Sequence, residues 1–184
     1  MSLKENSYPV DERGKPDLSY YRDGPEYYAA MHEEYRRAVR TPGHDSKLEF
    51  GRRVHSAWGL IAQGAASVPY AIAMLESGDS ATREDGAGVL AQIGRDPAVV
   101  TALLDQLAVE SDTVARDGII LALGALKSLA AIPALGAIIR DPKADGDTRW
   151  TAAESLGRIV RRRFERQPDA IEAAIAWLDK HGAR

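Results

Sequence analysis

Three stretches, Arg83-Glu-Asp-Gly86-Ala87-Gly-Val-Leu90-Ala91-Gln-Ile93, Arg116-Asp-Gly-Ile119-Ile120-Leu-Ala-Leu123-Gly124-Ala-Leu126 and Arg149-Trp-Thr-Ala152-Ala153-Glu-Ser-Leu156-Gly157-Arg-Ile159, align with one another. Their arginines are 33 residues apart both times. Apolar or small residues follow each arginine by three, four, seven, eight and ten positions, which places them on one face of a helix. An acidic residue precedes each arginine by four: Asp79, Asp112 and Asp145. A fixed period of this length is the signature of a repeat array, whose units bury their apolar faces only against one another. A degraded copy precedes these three in Val54 to Ile61, with Gly51 at the arginine position and Trp58-Gly59 in place of Leu156-Gly157.

Working outward, each copy is followed by a second apolar helix. Val68-Pro69 with Met74-Leu75 matches Ile132-Pro133 with Ile138-Ile139. Val100, Leu103 and Leu107 fill these places in the second unit, and Ile171, Ala174, Trp177 and Leu178 in the fourth. Gly64, Gly94 and Gly182 suit helix C-termini, Asp96-Pro97 and Gln167-Pro168 suit helix starts, and Ser77-Gly78-Asp79 and Asp141-Pro142 mark turns between pairs. The pattern predicts an all-α chain with four helix–turn–helix units from about residue 46 to 181. Each repeated Asp is expected to cap its helix and to face the arginine one turn later.

These units, with Asp112-Thr-Val-Ala-Arg116 leading into Leu123-Gly124 and Ala131-Ile132-Pro133-Ala134-Leu135 closing on Asp141-Pro142, resemble HEAT-like repeats of the short bacterial type, also found in bilin lyase subunits. The resemblance covers roughly three quarters of the chain and is weakest in the first unit. It implies a right-handed α-solenoid whose second helices line a concave face. It carries over no catalytic residue, because such repeats are defined by packing positions. Ankyrin and tetratricopeptide arrays fit less well, since neither Thr-Pro-Leu-His nor the spaced aromatics occur.

Composition divides the chain in the same way. Of 30 alanines, 27 fall after residue 45, whereas six of seven tyrosines fall before it. Small residues let neighbouring helices approach closely, so the alanine excess belongs to a repeat domain over 46–184. Residues 1–45 read as a polar arm followed by a tyrosine-rich capping helix, with Asp23 as its cap, Pro25 in its first turn and Tyr28, Met31, Tyr35 and Val39 as its apolar stripe before Thr41-Pro42-Gly43. Residues 1–22 hold Pro9 and Pro16, lack periodicity, and are expected to order only by lying on the repeats or on a partner.

The net charge is −3, which argues against a general nucleic-acid or anionic-membrane binder. Gly118 to Ile139 is long and apolar enough to raise the question of a membrane span. A central lysine costs about 2.5–3.5 kcal/mol on insertion. The repeat register divides the stretch instead into two buried helices with a turn at Lys127-Ser128, and a cytoplasmic protein is expected, with no signal peptide at the N-terminus. Without cysteine, thiolate chemistry is excluded. His32, His44, His55 and His181 lack metal-ligand spacing, and phosphate-loop, dinucleotide and serine-hydrolase motifs are absent, so no metal and no cofactor is expected. His32 and His55 are read as solvated or capping residues.

Departures from the repeat are where function is sought. Trp150 occupies the position of Glu84 and Asp117, which looks solvent-facing, so its indole is either covered by a neighbouring segment or anchors a partner. The run Arg158-Ile-Val-Arg161-Arg162-Arg163 extends the last such helix by about a turn, within a segment (146–184) of net charge +2. Trp150, Arg158, Arg161 and Arg162 are therefore candidate binding residues for an acidic protein partner or a phosphate, and Tyr70 is a further candidate. Three readings follow: a non-catalytic interaction scaffold; an enzyme or lyase subunit acting on a tetrapyrrole or similar anionic small molecule; and, less favoured by charge, nucleic-acid binding. A scaffold predicts a shallow continuous groove. An enzyme predicts a pocket where His55, Tyr70 or an Asp converges with arginine.

Overall fold

The computed structural model describes residues 10–13, 15–41, 43, 46–94 and 96–181, with the backbone alone described over 46–50. His44, Pro42, Gly182 and the first nine residues lie outside the described set. Among the described residues the chain is all-helical, with nine α-helices: α1 (Pro25–Ala38), α2 (Ser46–Ala62), α3 (Val68–Leu75), α4 (Ser80–Ile93), α5 (Pro97–Val109), α6 (Thr113–Ala125), α7 (Ile132–Arg140), α8 (Gly146–Val160) and α9 (Ala170–Lys180). No helix among them is long and apolar enough to cross a membrane. Gly118 to Ile139 is broken at Lys127, which takes a left-handed φ of 51° between α6 and α7.

Local chemistry sets the helix starts. The Asp79 carboxylate accepts from the Thr82 N–H at 2.9 Å, Asp112 from Ala115 N–H at 3.0 Å and Asp145 from Asp147 N–H at 2.9 Å. Each such cap is worth about 1 kcal/mol. Asp96 and Asp169 cap α5 and α9 in the same way, so α9 begins after Asp169, two residues beyond the predicted Gln167-Pro168. Asp23 does not cap α1. Gly24 takes the N-cap position without a side-chain bond, and the Asp23 N–H donates instead to the Tyr28 hydroxyl at 3.3 Å.

The first helices form one row, α2 on α4, α4 on α6 and α6 on α8, while α3, α5, α7 and α9 pack against this row from behind. The tyrosine-bearing α1 packs on α2. Leu60, Leu75, Leu90, Leu123, Leu156 and Leu178 are fully buried along the core. Trp58 and Trp177 are half-buried against it. Of the arm, Leu18–Tyr20 form a short 3-10 turn against α2, and the Tyr21 carbonyl accepts from the Gln63 side chain at 3.0 Å. The buried residues of α1 are Tyr28, His32 and Tyr35, while Met31 and Val39 of the expected stripe are half-buried. His32 is thus 2% exposed rather than solvated, because it lies one turn from both tyrosines on the face that meets α2 and α3.

The repeated arginines do not pair with the Asp one turn before them. Each reaches a carbonyl at or just beyond the C-terminal end of the preceding helix, where backbone acceptors have no intrahelical donor. Arg83 donates to Ser77 O at 2.8 Å, Arg116 Nε to Glu110 O at 3.2 Å and Arg149 Nε to Ile139 O at 2.9 Å. Asp79, Asp112 and Asp145 are already engaged by the amides they cap. Arg83 also forms a two-pronged ion pair with Glu110, at 2.6 and 2.7 Å. With Gln106 and the N–H groups of Ser111 and Asp112 bonded to it as well, the Glu110 carboxyl is held down at about 2 by the Arg83 guanidinium first of all.

Two further expectations are corrected. The Glu84 and Asp117 position is half-buried between successive first helices, not solvent-facing. The Glu84 side chain lies against Gly118 of α6, and burial pushes the Asp117 carboxyl up, with Thr148 of α8 close enough to oppose the shift. The arginine run does not lengthen α8, which ends at Val160 with Arg161 in a left-handed conformation, φ 57°. The chain folds back because Gly157 leaves room for it: a Cβ there would meet the Arg162 carbonyl oxygen at 2.7 Å, and the buried Phe164 covers the same turn.

Close approach of α6 and α8 rests on Gly124, where a Cβ would come within 2.7 Å of Ser155 Cβ. Gly124→Val is therefore expected to lower stability by about 2–3 kcal/mol, whereas Gly88→Ala, in an exposed α4 position with nothing within 4 Å of the added Cβ, raises it by about 0.5–1 kcal/mol. Chemical denaturation of both variants checks this pair of opposite signs. Glu110 gives a second expectation. Its folded pKa is depressed, so its contribution is complete above 4.5 and is lost as pH falls toward about 2. Glu110→Gln should cost about 3 kcal/mol near neutrality and flatten the acid limb of unfolding free energy against pH.

Candidate functional site

A cleft of about 420 Å³ opens between α1 and α3. Helical spacing along α1 supplies Ala29, His32, Glu33, Arg36, Arg37 and Arg40 to one wall, the last just past the helix end. Tyr70, Ala73 and Met74 of α3 form the other, with Ser77 and Thr82 closing one end. Three guanidinium groups thus share a small space with one phenol and an apolar floor.

Their charges are partly matched. Arg36 and Arg40 both reach Asp79, at 2.6 and 2.8 Å, and Arg37 meets Glu33 at 3.0 Å. Two carboxylates against three arginines leave one positive charge over. Arg36 also holds an unused donor: its Nε is buried without a hydrogen-bond partner. Burial alone would push the Asp79 carboxyl up, but hydrogen bonds from Thr82 and Arg40 and the charge of Arg36 hold it well below the usual carboxylate range. Asp79 is consequently a fixed anion, bonded to an amide, a hydroxyl and two arginines, with no proton to exchange.

His32, in the cleft wall, has its Nε2 3.3 Å from Asp85 Oδ2, and Arg53 Nε donates to Asp85 Oδ1 at 2.9 Å. Burial lowers the His32 pKa more than the Asp85 charge raises it, so the imidazole is neutral at pH 7. His55 is elsewhere, its ring beside those of Tyr20 and Tyr21, and burial lowers its pKa too. Among the described residues no group of His, Asp and Glu is arranged to hold a metal ion.

The candidates read from the sequence do not form one site. Tyr70 lines the α1–α3 cleft, and no residue of α8 does. On α8, Trp150 is 43% exposed and Arg158 is bonded to Glu154 at 2.7 Å, while Arg161 and Arg162 are exposed on the turn that ends it. The cleft arginines Arg36, Arg37 and Arg40 were not singled out from the sequence. Their spacing at the end of α1, at 36, 37 and 40, was a usable signal, but the reading of this helix followed its tyrosines and apolar stripe instead. A second cavity, about 480 Å³ between α3 and α5, carries Glu76 and Asp105 and no cation among its lining residues.

Fold and cleft together define an all-helical protein with an arginine-lined cleft at one end of a row of helices. The chain matches no protein-family model, no curated protein and no solved structure.

A histidine whose folded pKa lies below its unfolded value takes up its proton first in the unfolded chain. Its contribution to stability is therefore present above 6.5 and is lost as pH falls below that value. Unfolding free energy should fall between neutral and mildly acidic pH, and the fall should be smaller in His32→Gln. Denaturant titrations at the two pH values measure it.

Proposed function

We propose that the protein is a non-catalytic interaction module: a HEAT-like, right-handed α-solenoid of four helix pairs that seats an acidic group of a protein partner in the α1–α3 cleft. The 33-residue period supports the solenoid reading. The observation that carries the binding reading is the convergence of Arg36, Arg37 and Arg40 on a cleft with one uncompensated positive charge and one unused buried donor. Arginine suits such a role because its planar fork keeps several donors after one is used. The acidic α3–α5 cavity repels the same partner, which leaves the α1–α3 cleft as its seat.

A second reading, an enzyme or lyase subunit holding an anionic small molecule such as a tetrapyrrole, is favoured by one specific feature: Tyr70 converges with arginines and with Asp79 behind them, as that reading requires. Against catalysis stands the state of the nearby ionisable groups. Asp79 is locked as an anion and His32 is buried and neutral, so neither is poised to move a proton at the cleft.

Titration with a short oligoglutamate peptide and, separately, with a dicarboxylate tetrapyrrole distinguishes the two. The interaction module binds the peptide, with affinity falling about tenfold in Arg37→Glu or Arg40→Glu, both at exposed positions. Tyr70→Phe costs less and retains the fold. Tetrapyrrole binding with no peptide binding would transfer the assignment to the second reading.

A further inference from the structure

Both cavities are walled by α3, on opposite flanks of one exposed ridge. Helical spacing brings Pro69, Ala73 and Glu76 to the outside, while Ala71, Met74 and Leu75 are buried beneath. Tyr70, Ala73, Met74 and Ser77 line the α1–α3 cleft on one side, and Ile72, Leu75 and Glu76 line the α3–α5 cavity on the other. Ala73 and Glu76 thus belong each to one cavity and both to the ridge, so the two cavities border the same outer face of α3. At its middle the ridge rises only by the methyl group of Ala73, a low saddle between them.

The two flanks carry opposite charge. Arg36, Arg37 and Arg40 stand on the first, with one positive charge in excess. The second, about 480 Å³, has an apolar floor and carries Glu76 and Asp105, both exposed. Among the described residues no cation pairs with either carboxylate. Val109 at its edge is 74% exposed and adds uncovered apolar surface.

We propose that an extended segment of the partner protein crosses α3, with an acidic side chain in the arginine cleft and a basic side chain four residues away in the α3–α5 cavity. The proposal rests on the cleft reading and adds a second anchor to it. Charge complementarity selects this occupant. A purely acidic segment meets repulsion at Glu76 and Asp105, and a purely basic one meets it at the arginines. Spacing follows from the fold. A helix with its side chains is about 10–12 Å across, and residues four apart in an extended chain point the same way about 13 Å apart. The residue midway between them faces Ala73, where a small side chain fits.

Calorimetric titration of the full chain tests this with capped Gly/Ser peptides carrying Glu and Lys four residues apart, in both chain orders. Controls replace Lys by Ala, Glu by Ala, or Lys by Glu. The better Glu/Lys order should bind at least about tenfold tighter than either Ala control. Asp105→Lys, at an exposed position on α5, should remove that advantage and leave the peptide with Ala for Lys bound as before. With Glu76→Lys added, preference should pass to the two-glutamate peptide. Glutamate peptides that bind with no gain from lysine, or a gain that survives Asp105→Lys, would overturn the second anchor while the cleft reading stands. Equal binding of the lysine-only peptide would give the cavity to a basic partner unconnected with the cleft, and self-association in place of peptide binding would give it to a second copy; either overturns the proposal. Failure of every glutamate peptide to bind would overturn the cleft reading and this proposal with it.

Discussion

Everything in this structure hangs on what happens at the C-terminal ends of the second helices. A helix end leaves carbonyls without donors, and in a row of short helices those ends are packed against the next unit rather than open to water. Arg83, Arg116 and Arg149 supply the missing donors, at Ser77, Glu110 and Ile139. Each arginine sits in the first turn of a helix whose N-cap is an aspartate, so one segment of sequence both starts its own helix and closes the one before it. The period of 33 follows from that double duty: the distance from one arginine to the next is the length of one first helix, one second helix and two turns. Burial makes the arrangement stringent. Where Glu110 adds a carboxylate to the Arg83 contact, the pair is nearly dry, and removing either partner strands a charge.

A ladder closed in this way fixes how near the first helices lie, and the small residues are its consequence. Gly124 against Ser155 and Gly118 against Glu84 are contacts that any larger side chain would obstruct. The same geometry explains why identical repeat positions carry different chemistry. Glu84 and Asp117 are half-buried because a neighbouring helix covers them, and Trp150 is exposed because none does. The burial of a repeat position is a property of its neighbour as much as of its own helix, and a reading unit by unit cannot see it.

That limit marks what the sequence disclosed. Helix type, the three Asp caps and the break at Lys127 were legible because they depend on residues within a turn of each other. The partners of the arginines were not, since Ser77, Glu110 and Ile139 contribute backbone carbonyls, which no residue pattern advertises. The end of α8 was misread for a related reason: nothing in Arg161-Arg162-Arg163 forbids helix, and it is Gly157 and the burial of Phe164 that turn the chain. Tyr70 was picked out as a single residue. The arginines that make a cleft of its surroundings come from a helix more than thirty residues earlier, and only packing brings the two together.

The cleft also shows how a helix cap organises the charges around it. Asp79 is first an N-cap, held by the Thr82 amide and hydroxyl at 2.9 and 2.7 Å. A cap carboxylate has two oxygens and room for more donors than a helix start provides, so Asp79 accepts Arg36 and Arg40 as well and draws the end of α1 onto α3 and α4. The arginines are thereby positioned without being used up. All three arginines line a space of about 420 Å³, and Asp79 occupies only part of the donor set that two of them carry. The fold has thus already gathered like charges around one of its own carboxylates. The same sharing couples the two properties: loss of Asp79 would unfasten α4 and scatter the cleft together, whereas changes at Arg37 or Tyr70 touch the cleft alone.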